Sequence, residues 1–289
     1  MTMHDSISVC DSHQHFWRLR RGDYSWLTPD MGVLYRDYEP EHLRPILDAT
    51  GVESTILVQA APTIEETRFL LELSRQHSFV VGVVGWIDME SPQAPEVLEE
   101  LCAHEKFVGV RPMVQDIADP QWLLRPTLTN AIAALVERDL TFDALVRPPQ
   151  MPALLDFCAR YPELRIVLDH VGKPPIAARE LHPWSEQLRQ LARHEKVRCK
   201  LSGLVTEAGN ADATALRPYV DHVLDCFGAQ RTMWGSDWPV CETVCRYGDW
   251  FALCARWFEH ASPRDRASLF GEVARETYLA PQTRRRKAH

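Results

Sequence analysis

A chain of 289 residues, 45% hydrophobic and 25% charged, can bury a large core without disulfide or metal staples. Its formal net charge of −8 excludes a broad surface for nucleic acid or anionic membrane. No apolar run reaches membrane-spanning length, and Met1-Thr2-Met3-His4-Asp5 lacks the basic and apolar regions of a secretory signal, so a cytoplasmic protein is expected.

From the N-terminus onward, short apolar runs alternate with amphipathic stretches. Strands are predicted at 8–12, 54–59, 80–86, 107–111, 141–145, 165–169, 198–202 and 232–235. They are rich in Val, Ile, Leu and Phe without strict polar alternation, as strands covered on both faces should be. Helices are predicted at 41–49, 64–76, 94–104, 127–136, 151–160, 184–194 and 250–259, with a closing helix at 264–278. Thr63 caps the second, with Glu66 at the capping-box position. After the seventh strand, Leu216, Val220, Val223, Leu224 and Phe227 share one helical face, and Gly228 stops that helix. Eight strands each followed by a helix describe an α/β fold, a single (β/α)8 TIM barrel over 1–289. The competitor, a doubly wound open sheet, usually has a glycine-rich phosphate turn after its first strand. Here that turn is replaced by His13-Gln14-His15.

The connection over 16–40 is unusually long and holds Trp17, Tyr24, Trp26 and Tyr35. It reads either as a lid or as a plug at one end of the barrel. The eight cysteines are scattered; Cys10, Cys158 and Cys199 sit in apolar contexts, and Cys241 and Cys245 lack a second pair at zinc-finger spacing. They are read as structural thiols of a reduced compartment. Arg284-Arg285-Arg286-Lys287 reads as a solvated tail.

Chemistry in this fold is placed at the carboxyl ends of the strands. Residues 233–240, Met-Trp-Gly-Ser-Asp-Trp-Pro-Val, end a buried strand with one carboxylate, Asp237, held over that edge, since Pro239 prevents the strand from continuing. His13 and His15 are two apart and face one side of the first strand, so both can meet Asp237 if first and last strands are neighbours. Gln59, Arg111, Asp143, Asp169-His170, Lys200 and Ser202 fall on or at the ends of the other strands. Three imidazoles and one carboxylate suit a mononuclear zinc or manganese site held by His13, His15, His170 and Asp237. They equally suit a metal-free cluster that holds a substrate carbonyl. Arg111 either binds a carboxylate or polarised carbonyl, or braces its strand against an acid such as Asp143. Lys173 on its loop, Trp238 beside Asp237 and His182 before Pro183 are further candidates at the same end.

Asp-Ser-His-Gln-His-Phe-Trp at 11–17, Gly-Val-Arg-Pro at 109–112, Leu-Asp-His-Val-Gly-Lys-Pro at 168–174, Lys-Leu-Ser-Gly-Leu at 200–204 and Gly-Ser-Asp-Trp-Pro at 235–239 resemble the amidohydrolase superfamily. The branch is that of L-fuconolactonase, L-rhamnonolactonase and 2-pyrone-4,6-dicarboxylate lactonase, and the likeness runs to Tyr278-Leu279. It implies a distorted barrel in which His13, His15 and His170 face Asp237, which handles the proton of the attacking water. Arg111 stands where binuclear members carry a bridging Lys, and no His ends the fifth strand, so a two-metal site is not expected. Members of the branch differ in whether they need a metal; one divalent ion, zinc first, is the expectation here, with a metal-free enzyme as the alternative.

The expected activity is therefore lactonase hydrolysis of a sugar lactone, L-fuconolactone or a relative, to the aldonic acid. Asp237 acts as base, and His13, His15, His170 and Arg111 stabilise the carbonyl. Gln59, Asp143, Trp26, Lys173, Trp238 and His182 are the expected substrate contacts. A neutral sugar is preferred because a dicarboxylate would demand several converging arginines. A metal-dependent decarboxylase of the same superfamily and a non-catalytic sugar-binding barrel are the rivals. The partner is a small molecule, with homo-oligomerisation left open.

Overall fold

The structure, a computed structural model, describes residues 7–209 and 212–280. Eight parallel strands follow one another in sequence order around the sheet. They are β1 (Val9–Gln14), β2 (Val52–Val58), β3 (Val80–Gly85), β4 (Phe107–Val110), β5 (Thr141–Ala144), β6 (Arg165–Leu168), β7 (Val197–Leu201) and β8 (Thr232–Trp234). The helices are α1 (Pro40–Thr50), α2 (Ile64–Gln76), α3 (Ala94–Cys102), α4 (Thr129–Glu137), α5 (Met151–Arg160), α6 (Trp184–Leu191), α7 (Leu204–Ala208), α8 (Ala213–Phe227), α9 (Tyr247–Trp257), α10 (Pro263–Ala267) and α11 (Val273–Tyr278). This is the expected (β/α)8 barrel. Among the described residues no helix is long and apolar enough to cross a membrane.

The last strand is too short to close the barrel by itself. Closure happens past its end, where the turn over 235–238 runs alongside β1. Asp237 N donates to His13 O at 2.8 Å and His15 N to Trp238 O at 2.7 Å. Asp11 accepts from Ser236 N at 2.8 Å and from Ser236 Oγ at 2.6 Å. Gly235 allows this approach, because a Cβ there would stand 2.9 Å from His13 Cβ. The same closure carries Asp237 to the histidine pair.

Two apolar layers hold the barrel. Inside it, Cys10, Ile56, Val58, Val84, Val108, Val167 and Met233 pack together and are stoppered at the amino end by Val273, Ala274 and Tyr278 of α11. Outside it, the apolar faces of the helices cover the strands. Each large aliphatic side chain so buried contributes about 1.5–3 kcal/mol.

Several local expectations are corrected. β1 extends to Gln14, so His13 lies within the strand and His15 just beyond. The closing helix is not continuous: α10 and α11 are separated by one wide π turn, Ser268–Glu272. That turn presses Gly271 onto the Ser8 carbonyl, where any Cβ would collide. The short α7, led in by Gly203 at φ 70°, carries too few residues to show a periodicity. The capping box on α2 forms only in half. Thr63 Oγ accepts from Glu66 N at 3.1 Å, but the Glu66 carboxylate turns away to accept from Ala60 N and Ala61 N. The basic run at 284–287 and residues 1–5 lie outside the described residues.

The connection over 16–40 is folded down on the barrel mouth. Trp17 and Tyr38 exchange backbone hydrogen bonds of 2.9 Å, and Tyr38 packs edge-on against both Trp17 and Trp238. Trp26 Nε1 donates to Ala60 O at 2.8 Å, fixing its indole over the β2–α2 turn. Tyr35 is exposed.

Candidate active site

The histidines and Asp237 converge at the carboxyl end of the barrel. Asp237 Oδ1 lies 3.4 Å from His15 Nε2, 3.7 Å from His13 Nε2 and 3.9 Å from His170 Nε2. His13 Nε2 and His15 Nε2 are 3.2 Å apart. All four residues are buried. His170 is aimed inward by an unusual turn: His170, Val171 and Lys173 have φ of 51°, 50° and 51°, and Gly172 has 74°. Left-handed conformations cost about 1–2 kcal/mol per non-glycine residue, and such strain collects at functional sites. Asp237 adopts the same region, φ 59°.

Each imidazole is oriented from behind. His15 Nδ1 donates to Val58 O at 2.8 Å, which leaves the Nε2 lone pair facing the site. His170 Nδ1 pairs with Ser202 Oγ at 2.9 Å. His13 Nδ1 meets Lys200 Nζ at 3.1 Å. Burial keeps all three imidazoles neutral: His170 falls to about 4, and His13 and His15 also fall below the ordinary value. Burial would raise Asp237, but the facing His170, His15 and His13 outweigh it and hold the carboxyl below its usual range. At neutral pH the site therefore holds a carboxylate among neutral imidazoles.

Arg111 sits 3.2 Å from His13 Nε2 through Nη1, and Nη1 is 3.5 Å from Asp169 Oδ2. Its Nη2 donates to Gln59 O. The acid it faces is thus Asp169, not Asp143. Beneath lies a buried column in which Lys200 contacts Asp143 Oδ2 at 2.6 Å and Asp169 Oδ1 at 3.1 Å, and Tyr278 Oη donates to Asp143 Oδ2 at 2.7 Å. Burial and the neighbouring Asp169 raise Asp143. Burial works against the charge of Asp169 as well, yet Lys200, His13 and Arg111 hold it well below the usual range.

A cavity of about 570 Å³ opens over the cluster. His15, His170, Asp237 and Arg111 form its floor, and Trp26 and Lys173 stand in its wall. Four expected substrate contacts are absent from the lining. Gln59 is fully buried, its amide donating to Arg111 O at 2.7 Å. Asp143 lies deeper, spent on Lys200 and Tyr278. Trp238 packs against Phe16 and Tyr38 and donates to Glu242 Oε1 at 2.9 Å. His182 is exposed on its loop beside Ser185. The sequence placed these at the correct end of the barrel, but depth and direction depend on strand register and turn shape. Residues not foreseen in the lining are Trp17 and Met31 from the long connection, Gln115 and Asp116 after β4, and Arg147 after β5. Their position on loops at the strand carboxyl ends was the available signal.

His13 Nε2, His15 Nε2 and Asp237 Oδ1 all lie within 4.8 Å of one another. Two neutral imidazoles and a carboxylate are the ligand types of a mononuclear zinc site with an open position, so the residues fit one ion. A bridging Lys and a fifth-strand His are both missing.

The model of the amidohydrolase family matches residues 10–279. The chain belongs to that family. Among members with curated names, it is 46% identical over 273 residues to an L-fucono-1,5-lactonase of Burkholderia ambifaria, covering 93% of this chain and 94% of that one. It is 40% identical over 285 residues to an L-fucono-1,5-lactonase of Burkholderia multivorans, covering 94% and 96%. Among solved members, an amidohydrolase from Burkholderia multivorans superposes with a TM-score of 0.89 at 40% identity, over 94% of this chain and 99% of that one. That amidohydrolase has also been crystallised with zinc bound, with a TM-score of 0.88.

Proposed function

We propose that this amidohydrolase is a lactonase that opens L-fucono-1,5-lactone, or a closely related aldonolactone, to the aldonic acid, with Asp237 as general base. The observation that carries this reading is Asp237 on the floor of a substrate-sized cavity, its carboxyl 3.4–3.9 Å from the imidazoles of His15, His13 and His170. The curated lactonases at 46% and 40% identity supply the substrate class.

A lactone carbonyl needs a nucleophilic water, a base for its proton and a positive field for the oxyanion. Asp237 takes the water's proton as the new C–O bond forms. The imidazoles orient the water and the carbonyl, and the Arg111 guanidinium supplies fixed positive charge beside His13. When the tetrahedral intermediate collapses, the ring C–O bond breaks and the leaving oxygen needs a proton. A carboxyl held below its usual range gives that proton up readily, so one residue serves both halves of the reaction. A divalent ion, zinc by analogy with the Burkholderia multivorans structure, would be held by His13, His15 and Asp237, with His170 adjacent. It supplies Lewis-acid polarisation of the carbonyl when bound.

The rim suits a neutral polyol. Lys173 is already paired with Glu207 at 3.2 Å, and the lining carries an acid, Asp116, as well as Arg147. Trp26, with its indole nitrogen occupied, offers a flat apolar face to a sugar ring. None of the eight cysteines is joined in a disulfide, which supports a reduced cytoplasmic setting.

A pH-indicator assay of the purified protein against a panel of aldonolactones tests the proposal. Acid release fastest with L-fuconolactone is expected. Release of carbon dioxide from aromatic acids without lactone opening points to a decarboxylase, and sugar binding without turnover to a non-catalytic barrel; either result overturns the assignment.

A further inference from the structure

The mouth of the cavity has two unlike sides. The strands follow one another in order around the barrel, and the turn after β8 lies against β1, so the loops after β4 and β5 stand across from those after β8 and β1. Above the reactive floor, the β8–β1 side is largely apolar, lined by Trp17, Trp26, Met31 and Val240. The β4–β5 side carries Gln115, Asp116 and Arg147.

That second side is built as one wall. Gln115 N donates to Leu145 O at 2.9 Å, which ties the loop after β4 to the end of β5. The buried Gln150 spans the same gap: its Oε1 accepts from Arg147 N at 2.8 Å, and its Nε2 donates to Val114 O at 2.6 Å. Pro148 and Pro149 restrict the backbone directly after Arg147. The backbone under Asp116 and Arg147 is therefore fixed, while their charged groups are unspent. Among the described residues the Arg147 guanidinium donates to no acceptor and meets no acid, and the Asp116 carboxylate accepts only from the Gln115 amide at a long 3.4 Å. The other charges of the lining are occupied: Lys173 by Glu207, Arg111 by Asp169 and the Gln59 carbonyl, and Asp237 by the histidines.

We infer that Asp116 and Arg147 are specificity-determining residues that read the hydroxyl groups of the lactone ring. A carboxylate only accepts and a guanidinium only donates, whereas a sugar hydroxyl does both. Neighbouring hydroxyls are therefore engaged by the pair, one through its proton and another through its oxygen. The two charges are opposite, so a neutral sugar is bound in preference to an anionic one. The apolar side across the mouth is left for the methyl group and the bare face of the ring. An apolar wall of that kind rejects an added hydroxyl by only about 100-fold, and a hydrogen bond to a charged group contributes a further factor of about 10 to 100. The hydroxyl-reading wall thus sets as much of the substrate range as the apolar one. The inference rests on the lactonase reading and names what gives it selectivity.

The test compares wild type, Asp116→Ala and Arg147→Met on two lactones of the same ring size, L-fucono-1,5-lactone and δ-valerolactone, which has neither hydroxyl nor methyl groups. Both side chains are exposed on the rim, so neither substitution opens the core. In each variant the ratio of kcat/KM for L-fucono-1,5-lactone to that for δ-valerolactone should fall by about 10- to 100-fold. The loss should appear in KM for the sugar lactone with kcat nearly unchanged, as for a contact made equally in the ground and transition states. If δ-valerolactone is opened too slowly to time, the ratio of its Ki as a competitor to the KM of the sugar lactone takes its place. An unchanged ratio, or an equal loss on both lactones, overturns the inference and leaves the lactonase reading standing. A wild type that opens neither lactone overturns the lactonase reading and this inference with it.

Discussion

Gly203 offers a sharp test of how the site is held. It leads into α7 with φ 70°, and a Cβ built on it would stand 2.7 Å from His170 Nδ1, 2.8 Å from Cγ and 2.9 Å from Cβ. Ordinary contact begins at 3.4 Å, so Gly203→Ala must push the His170 ring by about 0.7 Å. That movement stretches the 2.9 Å bond to Ser202 Oγ and shifts Nε2 relative to Asp237. A misplacement of about 1 Å at reacting groups costs on the order of 100-fold, so kcat/KM should fall by roughly 10- to 100-fold. The left-handed backbone adds about 1–2 kcal/mol of destabilisation, which for a chain of this size lowers Tm by roughly 2–8 °C. Gly209→Ala separates the two effects. Gly209 has φ 68°, but a Cβ there meets nothing within 4 Å. It should lose similar stability and keep its activity. Steady-state kinetics on L-fuconolactone and thermal melts of both variants decide the matter. If Gly203→Ala keeps wild-type kcat/KM, or if Gly209→Ala loses as much, then His170 is not held by contact with Gly203 and its position does not matter to turnover as argued.

Other expectations follow from the same geometry. Asp237→Asn should fold normally and lose about 100- to 10,000-fold in kcat, the range for a general base; near-wild-type turnover in a pure preparation would remove Asp237 from that role. Arg111→Met should harm stability as well as catalysis, because Arg111 neutralises the buried Asp169; breaking one side of a buried pair costs about 3–5 kcal/mol, and an unchanged melting temperature would show that the pair contributes little. Equilibrium dialysis against zinc should saturate at no more than one ion per chain, whereas two tightly held ions would contradict the donor set. Burial pushes Glu66 up to about 8, despite the N–H groups of Ala61 and Ala60 that favour its charge. Between the unfolded value and 8 the folded protein holds a proton that the unfolded chain has released, so this group's contribution lowers stability as pH rises through that window, by on the order of a few kcal/mol. Glu66→Gln should flatten the fall in Tm between about pH 5 and about pH 8; an identical pH profile in the variant would show that Glu66 stays ionised throughout.

The sequence alone determined the architecture and which polar side chains meet at one end of it. Apolar runs without alternation, separated by helical periodicities, leave few arrangements other than a barrel with parallel strands. His13 and His15 share a strand face by the two-residue period, and Gly235 with Pro239 marks where the last strand must stop beside Asp237. These are local rules, set by backbone geometry and residue type. What the tertiary structure decided is depth and partnership. The register between β1 and β2 shifts twice, at Val9/Cys10 and at Asp11/Gln14, so no count along the chain tells how far a side chain stands from the barrel mouth. Gln59 and Asp143 sit on the right strands and yet sink below the cavity, while Arg147 and Gln115 reach it from loops whose course no periodicity describes. Closure beyond β8 and the left-handed turn over 170–173 arise only when distant segments pack. The partners of Arg111 and Lys200 are likewise tertiary facts: a buried cation takes whichever acids the closed barrel brings within reach, and here three separate strands and their ends supply Asp143, Asp169 and His13.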